Sequence, residues 1–183
     1  MKREQLAQLL ALSSLLGERA DMLVIGSQAI LGIVPETDLP SEAVLSVEAD
    51  ITFLDGDEEK ADRVDVLLGE DSKFHHDFGF YAQGVGVTTA SLPAGWQERL
   101  IRFPVDLPDG AVAYCPDLHD LLAAKLAALR QKDVVYAGAL VKAGLVDLDV
   151  LDERVRMLPS RVPPEVVSAI YDLINGWRTS PSQ

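Results

Sequence analysis

Sulfur and imidazole are scarce in this 183-residue chain. The single cysteine, Cys115, excludes an internal disulfide. With only three histidines (His75, His76 and His119), it cannot complete the Cys/His cage of a structural zinc site. Any bound metal is therefore expected to take oxygen ligands. Positive charge is also in short supply: 16 lysines and arginines face 29 aspartates and glutamates, a formal charge of −13. A field of that sign repels a phosphate backbone, because protein affinity for nucleic acid rests on cationic side chains displacing counterions. No broad nucleic-acid surface is expected, whereas a divalent cation would be drawn toward clustered carboxylates. Long apolar runs are missing too. None approaches the roughly 18 residues needed to cross a bilayer. The leucine-patterned N-terminal segment carries Lys2, Arg3, Glu4 and Glu18 and no signal-cleavage pattern. No membrane association is expected, and the cytoplasm is the expected location.

What is present suffices for folding. An apolar share of 48% and a charged share of 25% are ordinary for a globular protein, and the length fits one well-buried domain with a helical appendage. Leucines at helical spacing predict a helix over 3–16 that stops at Gly17. A short strand over 22–25 follows, and Ser27 opens a second helix broken between Pro35 and Pro40. Residues 46–53 alternate cleanly. Val47, Ala49, Ile51 and Phe53 share one face, and Ser46, Glu48, Asp50 and Thr52 the other. A helix is predicted over 57–68, a glycine-interrupted strand within 78–87, and a hairpin from strands at 99–103 and 111–114. From Pro116 the pattern turns helical, over 117–131, 133–142, 147–158 and 164–177, with Pro116 and Pro164 at first-turn positions and Gly144 as a stop. This is an α+β order. It divides the chain into a core over 1–115, a helical region over 116–178 packed on it, and a frayed tail over 179–183.

Three features carry chemistry. Residues two apart on a strand point the same way, so Glu48 and Asp50 present paired carboxylates. They form either the wet face of a half-exposed strand or a ligand set for Mg²⁺. Gly26-Ser27 ends a strand at a helix start, where glycine admits a phosphate to the backbone; the alternative is an ordinary tight turn with Ser27 as its cap. In the helix beginning at Asp117, Lys125 takes a place in the stripe Leu118, Leu121, Leu122, Leu129 where leucine would be expected. A lysine there either snorkels, pairs with an acid such as Asp133, or meets a substrate phosphate. His75 and His76 read as loop histidines or as part of an acceptor site.

These residues resemble the minimal nucleotidyltransferase superfamily, a Gly-Ser turn followed by an acidic-x-acidic strand. More closely, the chain resembles the bacterial DUF6036 branch. The resemblance covers roughly residues 1–150. It rests on Val24-Ile25-Gly26-Ser27-Gln28-Ala29, Glu48-Ala49-Asp50-Ile51, Phe80-Tyr81-Ala82-Gln83-Gly84-Val85 with Leu92-Pro93-Ala94-Gly95-Trp96, and His119-Asp120-Leu121-Leu122-Ala123-Ala124-Lys125-Leu126 with Arg130-Gln131-Lys132-Asp133. It implies a nucleotidyltransferase-like mixed β-sheet with flanking helices. It also implies an NTP substrate whose triphosphate meets Gly26, Ser27 and Lys125, with Mg²⁺ on Glu48 and Asp50 and with Asp133 as the acid that follows the lysine. The implied reaction moves a nucleoside monophosphate to an unknown acceptor, RNA or protein, in a toxin–antitoxin or defence context with a partner protein.

One departure stands out. Active relatives carry a third carboxylate on a neighbouring strand, and 78–87 contains no acid. Asp65 and Asp106 are the nearby acids, the first reading as helical and the second as loop or strand end. The spacing from Gly26 to Glu48 also exceeds the superfamily's short form. A non-catalytic module that keeps the fold and binds nucleotide or protein is therefore the competing expectation. A third is an acidic face that engages a basic partner.

Overall fold

A computed structural model describes residues 1–179, the Asp109 side chain excepted. Helix α1 (Arg3–Leu16) buries Leu6, Leu9, Leu10 and Ser13 on one face, as the spacing predicts. Strand β1 (Met22–Val24) follows. The segment after Gly26 is a 3₁₀ helix, Ser27–Gly32, and not the α-helix expected from sequence. Pro35, which has no amide to donate, ends the segment just after the Val34 amide donates to the Ile30 carbonyl at 3.0 Å, so it stays short. Two more 3₁₀ turns, Glu36–Asp38 and Ser41–Val44, carry the chain to β2 (Glu48–Phe53).

Helix α2 (Glu58–Leu68) starts from an Asp57 cap, and α3 (Lys73–Phe78) from a Ser72 cap. The sequence did not announce α3. Six residues are too few for a periodic signal, and Phe78, at the start of the expected strand segment, closes this helix instead, the strand beginning only at β3 (Tyr81–Gly84). Strands β4 (Ile101–Arg102) and β5 (Ala113–Cys115) pair antiparallel, which matches the expected hairpin.

The helices that follow are α4 (Leu118–Ala127), α5 (Gln131–Lys142), α6 (Leu148–Arg156) and α7 (Pro164–Thr179). Helix α4 ends earlier than predicted because Leu129 takes φ 49°, a left-handed conformation that no helix continues through. Leu129 thereby leaves the apolar stripe. Pro116 lies outside α4, ahead of the Asp117 cap, whereas Pro164 opens α7 as expected. Thr179 closes α7, and the rest of the predicted frayed tail lies outside the described residues. None of the described helices is long and apolar enough to cross a membrane.

The five strands form one mixed sheet in the order β3-β2-β1-β5-β4. β1 runs antiparallel to β2 and parallel to β5, and β2 runs parallel to β3. This register sorts side chains cleanly. Met22, Val24, Ala49, Ile51, Phe53, Ala82 and Ala113 enter one apolar core, which continues through Leu122, Leu126, Leu140, Leu151, Ile170 and Ile174 to the last helix. On the opposite face Leu23 and Ile25 pack with Leu92 in a small second cluster, with Trp96, Leu100 and Tyr114 against it. Because Glu48 pairs with Tyr81 and Asp50 with Gln83, those four share this second face. The polar half of the β2 alternation thus escapes the main core and becomes a wall of the site.

Candidate active site

The amide of Ile25 donates to the Asp50 carbonyl at 2.9 Å, which sets Gly26 directly beside the acidic strand. Gly26 has φ 83° and ψ −173°, a region open essentially only to glycine. A Cβ built there would stand 1.9 Å from Asp50 Oδ2. The glycine is therefore required twice, by its backbone and by the carboxylate against it. The hydroxyl of Tyr136 on α5 donates to the Ser27 carbonyl at 2.9 Å, tying the turn to the helical region.

Glu48 and Asp50 are neighbours on the sheet surface, and the Tyr81 hydroxyl donates to Glu48 Oε2 at 3.3 Å. Burial raises the Asp50 pKa to about 6; the charge of Glu48 and a hydrogen bond to it add to the rise, while Lys125 and Arg130 oppose it. Burial and the Glu48 carboxylate push Tyr81 up to about 12, so its hydroxyl remains a donor. The raised Asp50 value fixes the sign of a pH effect. A carboxyl whose folded pKa exceeds its unfolded one stabilises the fold below the unfolded value, and that contribution is lost as pH rises through the folded value. Ionised Asp50 thus costs the folded protein on the order of 2 kcal/mol near pH 7. Asp50→Asn is expected to melt above the parent at pH 7 in chelator, and the two should converge near pH 4. Thermal melts across that range check it.

Across the cleft, Lys125 Nζ lies 2.8 Å from Asp133 Oδ1 and 4.9 Å from the centre of the Tyr136 ring. Arg130 Nε lies 2.6 Å from Asp133 Oδ2. Burial would raise the Asp133 pKa, but the hydrogen bonds from Arg130 and Lys125 outweigh it and hold the carboxyl below its ordinary range. Asp133 lies on the helix after the lysine's own, in the first turn of α5. The reversal at Leu129 returns the chain, so α5 brings Asp133 to Lys125 from the side.

A cleft of about 860 Å³ joins these groups, with Gly26, Ser27, Glu48, Asp50, Lys125 and Asp133 all on its walls. These six residues, which the resemblance assigns to the site, therefore meet in one place. Arg130, Lys132 and Tyr136 line it as well and were not singled out. Arg130 caps α5 and Lys132 lies in its first turn, where periodicity gives them no face, and Tyr136 sits on a helix whose orientation depends on the Leu129 reversal.

Other candidates fall elsewhere. Asp65 and Asp106 are exposed, and neither lines the cleft. Among the described residues no group of three or more His, Cys, Asp or Glu side chains is placed to hold a metal ion. On β3, Tyr81 and Gln83 occupy the register positions beside Glu48 and Asp50. His75 accepts the Asp71 amide at Nδ1 at 3.1 Å and packs its ring 4.6 Å from that of Tyr81; neither it nor His76 reaches the cleft wall. His119 accepts the Asp147 amide at Nε2 at 3.1 Å.

Asp120, in the first turn of α4, has a role that its position in the sequence does not announce. It is fully buried, bound by Arg99 through two contacts of 2.8 and 3.0 Å and approached by Arg154 at 3.3 Å. Arg99 also donates to the Ala94 carbonyl at 2.9 Å. Through this network the loop containing Trp96 is locked to the helix that carries Lys125.

A glycine turn against an acidic strand, with a lysine-bearing helix opposite, is the arrangement on which the sequence resemblance rested. The family described as nucleotidyltransferase of unknown function (DUF6036) matches residues 4–163, and the chain belongs to it. Comparison with curated proteins found no match. Comparison with solved structures found none either.

Proposed function

We propose that the cleft binds an NTP together with Mg²⁺ and transfers its nucleoside monophosphate to an acceptor hydroxyl, releasing pyrophosphate. The observation that carries this reading is the meeting of a strained glycine turn, two adjacent carboxylates and a lysine–arginine pair on the walls of one cleft. The donor set suits the ion. Glu48 and Asp50 offer hard oxygen ligands on one face, and a divalent cation would offset both the burial and the neighbouring Glu48 charge that raise the Asp50 pKa. When bound there, Mg²⁺ would neutralise phosphate charge and hold the triphosphate in a fixed orientation.

The chain's own side chains supply the rest. Gly26 leaves the turn backbone open to a phosphate, Lys125 and Arg130 oppose the charge of the tail, and Tyr81 fixes the Glu48 carboxylate by its hydrogen bond. Catalysis would rest on positioning and electrostatic stabilisation. The charge of −13 disfavours a long nucleic-acid track. It leaves a protein hydroxyl or a short RNA end as acceptor, as a cytoplasmic toxin–antitoxin or defence pair would present through a partner protein.

Glu48→Gln and Asp50→Asn are each expected to weaken Mg²⁺-dependent binding of a nonhydrolysable NTP by about a hundredfold and to abolish transfer of label from NTP to acceptor. Chelator should reproduce the loss in the parent. Unchanged binding and transfer in both variants would end the proposal.

A second reading is favoured by the β3 positions. Tyr81 and Gln83 stand where an acid would be placed to take the acceptor's proton. On that reading the cleft binds nucleotide or protein without turnover. NTP affinity would survive while no pyrophosphate is released with any nucleotide, even with the partner supplied.

A further inference from the structure

The cleft has a feature that phosphate and metal chemistry leaves unused. Leu45, directly after the turn Ser41–Val44, is 74% exposed, and Val135 on α5 is 49% exposed. Both line the cleft. Helix α5 packs against that turn, which brings the segment carrying Leu45 close to the helix carrying Val135. Ala43, buried in the same turn, also lines the cleft. Large aliphatic side chains held open to water at the mouth of a charged cleft are the surface that an aromatic ring system covers.

Resting on the proposed nucleotide binding, we infer that Leu45 and Val135 form the nucleobase shelf of the site. The base lies against them by its faces while the phosphate tail runs inward to Lys125 and the acidic pair. Edge recognition is weak there. The Ser46 hydroxyl is taken up by the Glu48 carbonyl and amide at 3.2 and 3.1 Å, and Glu42 Oε2 accepts from Ser41 at 3.0 Å. Gln131 and Lys132, also on the cleft wall, are exposed to water that competes for their hydrogen bonds. The shelf therefore selects by area. Purine nucleotides should bind several-fold more tightly than pyrimidine nucleotides, with ATP and GTP about equal.

The test compares a nonhydrolysable ATP analogue with inorganic tripolyphosphate, each with Mg²⁺, on the parent, Leu45→Ser, Val135→Ser and the remote control Val66→Ser. Val66 is likewise 74% exposed, and all three sites tolerate a polar residue without loss of core packing. Each shelf variant is expected to weaken the nucleotide about tenfold and tripolyphosphate less than about twofold, with Val66→Ser neutral. Shelf variants that leave the nucleotide unchanged, or that weaken both ligands equally, overturn the inference. If the parent binds tripolyphosphate and the nucleotide no more tightly, the shelf fails while the anion site stands. If the parent binds neither ligand, the proposed function fails and takes the shelf with it.

Discussion

Gly26→Ala should abolish Mg²⁺-dependent nucleotide binding, with affinity falling more than about a hundredfold, while the protein still folds. The new methyl would stand 1.9 Å from Asp50 Oδ2, an overlap that only movement of the carboxylate relieves. Since the obstructing atom is the end of a side chain, Asp50 rotates away and the acidic pair is broken. The backbone contribution is smaller, about 1–3 kcal/mol for a non-glycine residue held at that φ and ψ. Gly56 is the natural control. It too has positive φ, 76°, but an added Cβ there would meet nothing within 4 Å. Gly56→Ala should lower the melting temperature modestly and leave nucleotide affinity intact. Equal binding losses in the two variants would show that backbone strain, and not the Asp50 contact, governs the site.

Asp120→Ala is expected to be the most destabilising single change to a charged residue, by about 3 kcal/mol, or roughly 6–12 °C in melting temperature for a chain of this size. Burial holds the Asp120 carboxyl above its ordinary pKa range even against two arginines, so the pair itself is no large source of stability. Removing the acid is different, because it leaves Arg99 and Arg154 close together without their common partner. Both guanidinium side chains are mostly covered, at 22% and 15% exposure, and water compensates them poorly. Arg99 would also release the loop that places Leu92 and Trp96 on the second apolar cluster. Denaturant melts of Asp120→Ala against Asp120→Asn, which keeps an acceptor, separate loss of charge from loss of the hydrogen bonds.

The sequence was most legible where a pattern repeats over enough residues to be counted. The α1 leucines, the alternation in β2 and the long helices after Pro116 all have that property, and the structure bears them out. Lys125 stood out because it interrupts a leucine stripe, and Glu48 and Asp50 because a clean alternation sets two carboxylates on one face; with Gly26, Ser27 and Asp133 they line one cleft. Short elements escaped, as α3 and the 3₁₀ turns show. The reversal at Leu129 escaped because a leucine in a left-handed conformation has no sequence signal; only tertiary packing imposes it. The partnership of Asp120 with Arg99 joins residues 21 apart, and nothing in either's neighbours marks the other.

The reversal at Leu129 has a bearing on which anions the cleft retains. By delivering Asp133 to Lys125 and Arg130, it gives both cations a resident counter-anion before any ligand arrives. A newcomer must share them or displace a carboxylate already seated. A tail with several negative charges can engage both cations together and gain from each, whereas a lone orthophosphate recovers little for the exchange. On the proposed function the cleft would therefore select by valence, holding a polyphosphate tail more firmly than a lone orthophosphate.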